Sequence, residues 1–163
     1  MKPIITILIL FILFSAKAQT INTTYIAQPD LKKFAGEWQY TSNDTVFTLN
    51  LKLVKKYITI GDGIYVDLIY GDYAIKKGGH VLLLSSSNRG ISSGTYVDKN
   101  VSKDKIHFLF YDLGRKRKSG DVVFELLDAN IANWKLTNTE GVRIGYYDYS
   151  FSVPVKAVFK RVK

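Results

Sequence analysis

The chain has 163 residues, of which 23 are Lys or Arg and 14 are acidic, and its formal net charge is +9. This length suits a single domain with a substantial core. The sequence contains no cysteine, which excludes disulfides, thiolate nucleophiles and thiolate metal sites. The fold must therefore be held together by burial, for which a 47% apolar composition is sufficient.

The first 18 residues have the pattern of a secretory signal peptide. Lys2 gives a positive start, an apolar run follows from Ile4 to Phe14, and Ala16-Lys17-Ala18 supplies the small residues of a cleavage site. The apolar run is about half the ~20 residues that a membrane-spanning helix needs. We expect export to the periplasm or the medium, not as a lipoprotein, with no membrane span after cleavage. Residues 19–163 are then one domain. Without Lys2 and Lys17 this domain has 21 basic and 14 acidic residues, so its net charge is +7.

The rest of the chain alternates apolar and polar residues with a period of two, which is typical of half-buried β-strands. Pro29 and Asp30 predict a capped helical turn that ends before Gly36. The last strand is expected to begin near Pro154, because proline cannot donate to a strand ladder. About eight strands are predicted, which indicates an all-β antiparallel barrel or sandwich. They lie after residue 37 and around 47–53, 64–70, 80–84, 106–110, 122–126, 132–138 and 149–162.

A short helical turn followed by Gly36-Glu37-Trp38 resembles the opening of the lipocalin family. The resemblance implies a single antiparallel meander that forms a lipocalin-like β-barrel. It also implies that Trp38 plugs one end of the barrel and that Gly36 lets the turn approach the first strand. A late arginine would cover the indole ring, and Arg161 is the first candidate, with Arg143 as the second.

A closer resemblance covers nearly the whole chain after the signal peptide. The stretches "FxGxW" (34–38), "VDLIYGDYAIKKGG" (66–79) and "FSVPVKAVFKR" (151–161) resemble a family of small exported bacterial proteins of unknown function. This resemblance implies a fold and a cellular address, and it implies no known activity.

The positions predicted to face the barrel interior are large and apolar. About eight strands leave an interior that is either filled by side chains or holds one small ligand. Our first hypothesis is an exported, non-catalytic barrel that binds a small apolar ligand, and a filled core is the alternative. The candidates to face the ligand are Phe47, Leu49, Leu51, Tyr70, Phe108, Phe110 and Phe124.

The sequence contains no recognisable pattern for catalysis or metal binding. His80 and His107 have no acid or cysteine at ligand spacing, whereas a zinc site needs three or four ligands. There is no Gly-x-Ser-x-Gly elbow, Ser-x-x-Lys, phosphate-binding loop or dinucleotide fingerprint. Asp67 is predicted to face solvent and to pair with a lysine. We expect no enzyme activity, no catalytic residue, no cofactor and no metal.

The clearest charge run is Arg115, Lys116, Arg117 and Lys118, at a predicted hairpin tip. It is either a solvated tip or a patch for an anionic partner. Our second hypothesis is a secreted interaction module that binds a protein or an anionic envelope polymer through this tip and the loop 85–103. An exported protein rarely meets nucleic acid, so none is expected as a partner. The oligomeric state is left open.

Overall fold

The computed structural model describes residues 24–59, 63–85, 91–92, 103–115, 118–139, 148 and 150–162, with the backbone alone for 91–92. The predicted signal peptide lies outside these residues, as does Arg143. Two 3₁₀ turns, Pro29–Phe34 and Leu113–Arg115, accompany ten strands. The strands are β1 (Thr24–Ile26), β2 (Gly36–Ser42), β3 (Thr45–Ile58), β4 (Ile64–Lys77), β5 (His80–Leu84), β6 (Ile91–Ser92), β7 (Lys105–Asp112), β8 (Lys118–Leu126), β9 (Ile131–Asn138) and β10 (Lys156–Arg161).

Eight of these strands form one antiparallel meander in the order β4-β3-β2-β10-β9-β8-β7-β6. The sheet is strongly curled, and its two edges are joined where Gly71 of β4 pairs with Ile91 of β6. We call this half-barrel sheet the barrel. β5 pairs antiparallel with β4, and β1 pairs parallel with the other end of β4. The all-β fold class and the eight-stranded antiparallel meander predicted from the sequence are confirmed.

The core lies on the concave face of the curled sheet, where every second side chain of a strand points. Eight aromatic side chains at 2% exposure or less occupy its centre, and each contacts at least one other ring of the set. They are Trp38, Phe47, Tyr73, Phe108, Phe110, Phe124, Trp134 and Phe159.

Strand β4 faces the core with the opposite set of residues from the one predicted. The sequence prediction placed Tyr70 on its inward face, but Tyr70 is outside the core cluster, as are the buried Val66 and Leu68 of the same face. The inward residues after position 68 are instead Ile69, Tyr73 and Ile75, with Gly71 between them. A Cβ at Gly71 would lie 2.6 Å from a backbone oxygen of β3, so glycine is required there. The prediction that Tyr70 faces a ligand inside the barrel is therefore wrong.

Three elements also differ from the sequence prediction. The N-terminal turn is 3₁₀ and is not capped by Asp30, because its N-cap residue is Gln28 and no side chain caps it. The last strand begins at Lys156 and not at Pro154. The predicted strand β5 is present, but most of its residues are exposed, and it lies beside β4 and off the eight-strand path.

Candidate functional site

The N-terminal end of the barrel is closed by Trp38. Its side chain has no exposed surface, and its indole N–H donates to the carbonyl of Phe34 at 3.0 Å. Phe34 and Leu31 in the 3₁₀ turn are equally buried. Gly36 joins the turn to β2 with φ of +135°, a conformation that favours glycine. The turn and the first strand can therefore approach each other closely at this point.

Arg161 covers the indole ring from the neighbouring strand. It is the direct partner of Trp38 in the β2–β10 register, and its guanidinium carbon lies 4.1 Å from the ring centroid. Its nitrogens donate to the carbonyls of Lys33, Ala35 and Ala129. Burial lowers the pKa of the Arg161 guanidinium below its ordinary value. The structure thus brings Gly36, Trp38 and Arg161 together in the arrangement that the lipocalin resemblance implies.

Asp67 anchors the N-terminal segment to β4 and does not face solvent. Its side chain is 8% exposed, and both carboxylate oxygens accept the Tyr25 hydroxyl at 2.8 Å. The backbone N–H of Gln28 donates to the same carboxylate at 3.1 Å. The hydrogen bond that the Tyr25 hydroxyl donates to Asp67 raises the pKa of the Tyr25 phenol. The prediction of a solvent-facing carboxylate paired with a lysine is therefore wrong.

Most of the predicted ligand-facing residues do point into the barrel, where they contact one another. Phe47, Leu49, Leu51, Phe108, Phe110 and Phe124 are all at most 2% exposed. Trp134 and Phe159, which the sequence reading did not single out, complete the packing. The rings of Phe47 and Trp134 lie 5.6 Å apart, and those of Phe47 and Phe159 lie 5.3 Å apart. The central volume formed by the described residues is thus occupied by side chains.

The opposite end of the barrel contains two buried charged residues, Asp112 and Lys118, which are direct partners in the β7–β8 register. The Asp112 carboxylate accepts hydrogen bonds from the backbone N–H and the hydroxyl of Ser152, and from the N–H of Gly114 at 3.0 Å. The Lys118 ammonium donates to the carbonyls of Asp148 and Ser150 at 2.8 and 3.2 Å. These bonds fasten the segment that precedes β10 to the barrel.

One of the four residues of the predicted basic tip is not at the surface. Lys118 is 3% exposed, so its interpretation as a tip cation is wrong. The Arg115 side chain is exposed, and its Nη1 lies 3.3 Å from Oδ2 of Asp148. Lys116 and Arg117 lie outside the described residues, as does most of the loop 85–103. Lys118 is in phase with the inward residues Val122 and Phe124 of the same strand, and this alternation was the signal for its burial.

A groove of about 720 Å³ lies on the outer face of β7 to β10 and was not predicted from the sequence. Its first row crosses four strands in direct register and consists of Lys156, Lys135, Val123 and His107. Its second row is Val158, Asn133, Glu125 and Lys105. The strand order was needed to find this groove, because its residues are remote from one another along the chain.

The two rows differ in their charge balance. In the second row Lys105 lies 3.1 Å from Glu125, so the charges there are neutralised. In the first row His107 lies 3.4 Å from Asp121. Lys135 and Lys156 are exposed and directly opposite each other, and neither makes an ion pair with a described residue. Like charges directly opposite in a sheet are destabilising, so this pair is a favourable place for a bound anion.

Two further observations bear on the chemistry of the described residues. No three His, Cys, Asp or Glu side chains among them come together as a metal-binding group. No helix formed by these residues is long and apolar enough to span a membrane.

Geometry and sequence together define an all-β protein with a curled eight-stranded sheet and an aromatic core. Residues 1–93, more than half of the 163-residue chain, match the model of DUF6705, a family of unknown function, and the chain belongs to that family. The match includes Gly36 and Trp38 and ends before the four strands of the outer groove. Neither a curated protein nor a solved structure is significantly similar to the chain.

Proposed function

We propose that this chain is an exported, non-catalytic binding protein of the bacterial envelope, and that it binds an anionic polymer on the outer face of its barrel. The observation that carries the proposal is the opposed pair Lys135 and Lys156 in the groove over β7 to β10. Export is supported by the signal-peptide pattern of residues 1–18.

The packed interior favours an outer binding surface over an interior one. A small apolar ligand would have to displace rings such as Phe47, Phe110 and Trp134, which already contact one another. Binding residues concentrate on surfaces that a rigid scaffold holds in place. The barrel is therefore best suited to act as the scaffold for an exterior site.

The dimensions and chemistry of the groove fit an extended anionic chain. Four adjacent strands place the first row over three strand spacings, or ~14 Å. Lys135 and Lys156 offer two ammonium groups that no described acid pairs with. Val123 and Val158 provide an apolar floor between the charges, and the Asn133 amide adds a hydrogen-bonding group. Acidic polysaccharides offer carboxylates or sulfates at regular intervals along an extended chain.

The test is the binding of the purified chain to immobilised dextran sulfate and to polygalacturonate, with neutral dextran as the uncharged comparison. We expect binding to both acidic polymers at low salt and a loss of affinity as salt is raised, because exposed charges are screened. Lys135→Gln with Lys156→Gln should weaken binding about tenfold, at roughly 0.7 kcal/mol for each exposed charge contact.

The matched control is Lys76→Gln with Lys77→Gln, which removes the same charge from exposed residues at the end of β4. It should weaken binding much less than the groove variant. Equal weakening by the two variants would mean that net charge alone attracts the polymer, and absence of binding at low salt would also overturn the proposal.

A further inference from the structure

A second surface, separate from the groove, projects from the N-terminal end of the barrel. β2 pairs with β3 as far as Leu51, so the remainder of β3 has no β2 partner. These residues, 52–58, pair with 64–70 of β4, and β1 adds a third strand beside 64–66. We call this three-stranded extension the ribbon. Leu53 and Ile69 at its base still pack in the core, so the five residues of β3 beyond them correspond to a projection of ~17 Å.

Exposed apolar and aromatic side chains occur on both faces of the ribbon. Tyr25 and Tyr57 are 47% and 45% exposed on one face. Ile26 and Val54 are 46% and 37% exposed on the other. A polymer chain that lies on a sheet contacts one of its faces. A lipid interface that surrounds the end of the ribbon contacts both faces. This distribution favours a lipid interface over a polymer chain as the partner.

The residues are also ordered by polarity from the projecting end inward. Ile58 pairs with Ile64 at the end, and Tyr57 pairs with Tyr65 next. Lys56 and Lys55 follow on opposite faces of the ribbon. In membrane proteins apolar residues lie deepest, tyrosine rings lie at the headgroup level, and lysines reach the phosphates. β3 shows this order over four consecutive residues.

The tyrosine rings of the ribbon contact one another and a lysine. The Lys55 ammonium lies 4.2 Å from the ring centroid of Tyr25 and 4.9 Å from that of Tyr65. The rings of Tyr57 and Tyr65 lie 5.3 Å apart. A Cβ at Gly63 would fall 1.9 Å from the Tyr57 hydroxyl, so a glycine is needed for that ring to take its position. Side chains ordered before binding lose less conformational freedom on binding.

We propose that the ribbon docks this protein on the surface of an anionic lipid bilayer, with the Tyr57–Tyr65 pair at the headgroup level. The two lysines supply the attraction to anionic lipid, which is about 1 kcal/mol for each residue near the surface. Asp67, the acid within the described ribbon, is the direct partner of Lys55 in the β3–β4 register, so its charge offsets part of this attraction.

The test places a fluorescent reporter on the ribbon. The chain is expressed with its own N-terminus, and Tyr57→Trp is mixed with vesicles of phosphatidylcholine and phosphatidylglycerol. We expect the fluorescence emission of the new tryptophan to shift to shorter wavelength and to be quenched by brominated lipid. The parent, which contains only Trp38 and Trp134, gives the background that is subtracted. Val81→Trp, at an exposed position of β5 beside the other end of β4, is the matched control and should show neither change. Because all variants share residues 1–18, binding through that segment would not distinguish them.

The charge dependence gives an independent readout. Lys55→Gln with Lys56→Gln should weaken binding to the anionic vesicles about thirtyfold, which corresponds to two lysines at the stated energy. Lys135→Gln with Lys156→Gln should leave the blue shift of Tyr57→Trp unchanged, so the groove and the ribbon are tested separately. The inference is overturned if Tyr57→Trp and Val81→Trp respond alike, if neither responds, or if an acidic polymer and not the vesicle produces the blue shift.

Discussion

Arg161 illustrates at the scale of a single residue how this fold depends on the geometry of one side chain. Its guanidinium lies over Trp38 and donates to three backbone carbonyls near the end of the barrel. Those carbonyls belong to the 3₁₀ turn region and to the connection before β9. A planar group with several fixed donors can satisfy all of them at once, whereas a lysine ammonium cannot.

Arg161→Lys should therefore lower the free energy of unfolding by about 2–3 kcal/mol, since charged hydrogen bonds contribute about 1.5–3 kcal/mol each and the ammonium retains some of them. Urea unfolding followed by tryptophan fluorescence measures this loss. Lys160→Gln, at the exposed neighbouring position, is the control and should change stability by less than about 0.5 kcal/mol. An unchanged midpoint for Arg161→Lys would contradict the role given to the guanidinium.

Tyr73 links the core to the end of the barrel opposite Trp38. Its ring packs 4.9 Å from that of Phe110, while its hydroxyl accepts from the Leu113 N–H at 2.8 Å and donates to the Tyr111 carbonyl at 3.1 Å. Burial raises the pKa of the Tyr73 phenol well above its ordinary value of 10.0. The folded protein therefore keeps this proton at a pH where the unfolded chain loses it.

The stability that this shift contributes is complete below pH 10 and is lost as pH rises above it, because only the unfolded state releases the proton there. Tyr73→Phe should cost about 1–3 kcal/mol at pH 8 through the lost hydrogen bonds. The difference between parent and variant should then shrink by up to about 1.4 kcal/mol per pH unit above pH 10. Parallel urea titrations at pH 8 and pH 11 measure it, and a constant difference would contradict the assignment.

At the scale of the element, β1 is a short strand held by few contacts. It pairs with β4 over three residues, and its side chains are exposed. Asp67 supplies the further attachment by accepting hydrogen bonds from Tyr25 and Gln28. Without the carboxylate, β1 would depend on its backbone ladder, the contact of Lys55 with the Tyr25 ring and the hydrogen bond from the Gln28 side chain to the carbonyl of residue 67.

Asp67→Ala should accordingly increase amide hydrogen exchange in β1 while leaving β7 to β9 protected. It should also return the pKa of the Tyr25 phenol toward its ordinary value, since the hydrogen bond to Asp67 is the main cause of the shift. Tyr25→Phe keeps the carboxylate and tests the hydroxyl alone. If β1 keeps its protection in Asp67→Ala, the anchoring role is wrong.

The difference between prediction and structure is clearest at the scale of β4. In "IYVDLIYGDYAI" both faces contain large apolar residues, so a period of two does not identify the inward face. A shift by one residue exchanges the two faces completely. The sequence favoured the set ending at Tyr70, and Gly71 interrupted the set that in fact points inward. By contrast, β3 alternates clearly, and its inward residues were predicted correctly.

For the whole molecule, the central question is whether the interior of the barrel can bind a small ligand. The fold, the strand count and the residues at the Trp38 end were predictable, because each depends on a local pattern. The groove of Lys135 and Lys156 and the tyrosines of the ribbon were not predictable, because strand order brings distant residues together. The filled interior was left open as an alternative, since packing depends on how all inward side chains fit at once.

A packed interior predicts no response to small apolar molecules. Benzene should leave the Tm of the parent unchanged. It should raise the Tm of Phe124→Ala, because deleting a buried ring leaves an apolar cavity of the kind that binds benzene. The variant itself should be about 3–5 kcal/mol less stable. A rise in the Tm of the parent with benzene would show that the interior has room for a ligand.

Among the described residues, the ring of strands has its shortest pairing where β4 meets β6, at Gly71 and Ile91. The first and last strands of the ring, β2 and β10, are by contrast direct neighbours with Trp38 and Arg161 between them. A circularly permuted chain, with its native ends linked and new ends placed between β5 and β6, would cut the ring at that junction. Such a permutant would keep the core and the covered indole, at the cost of few backbone hydrogen bonds.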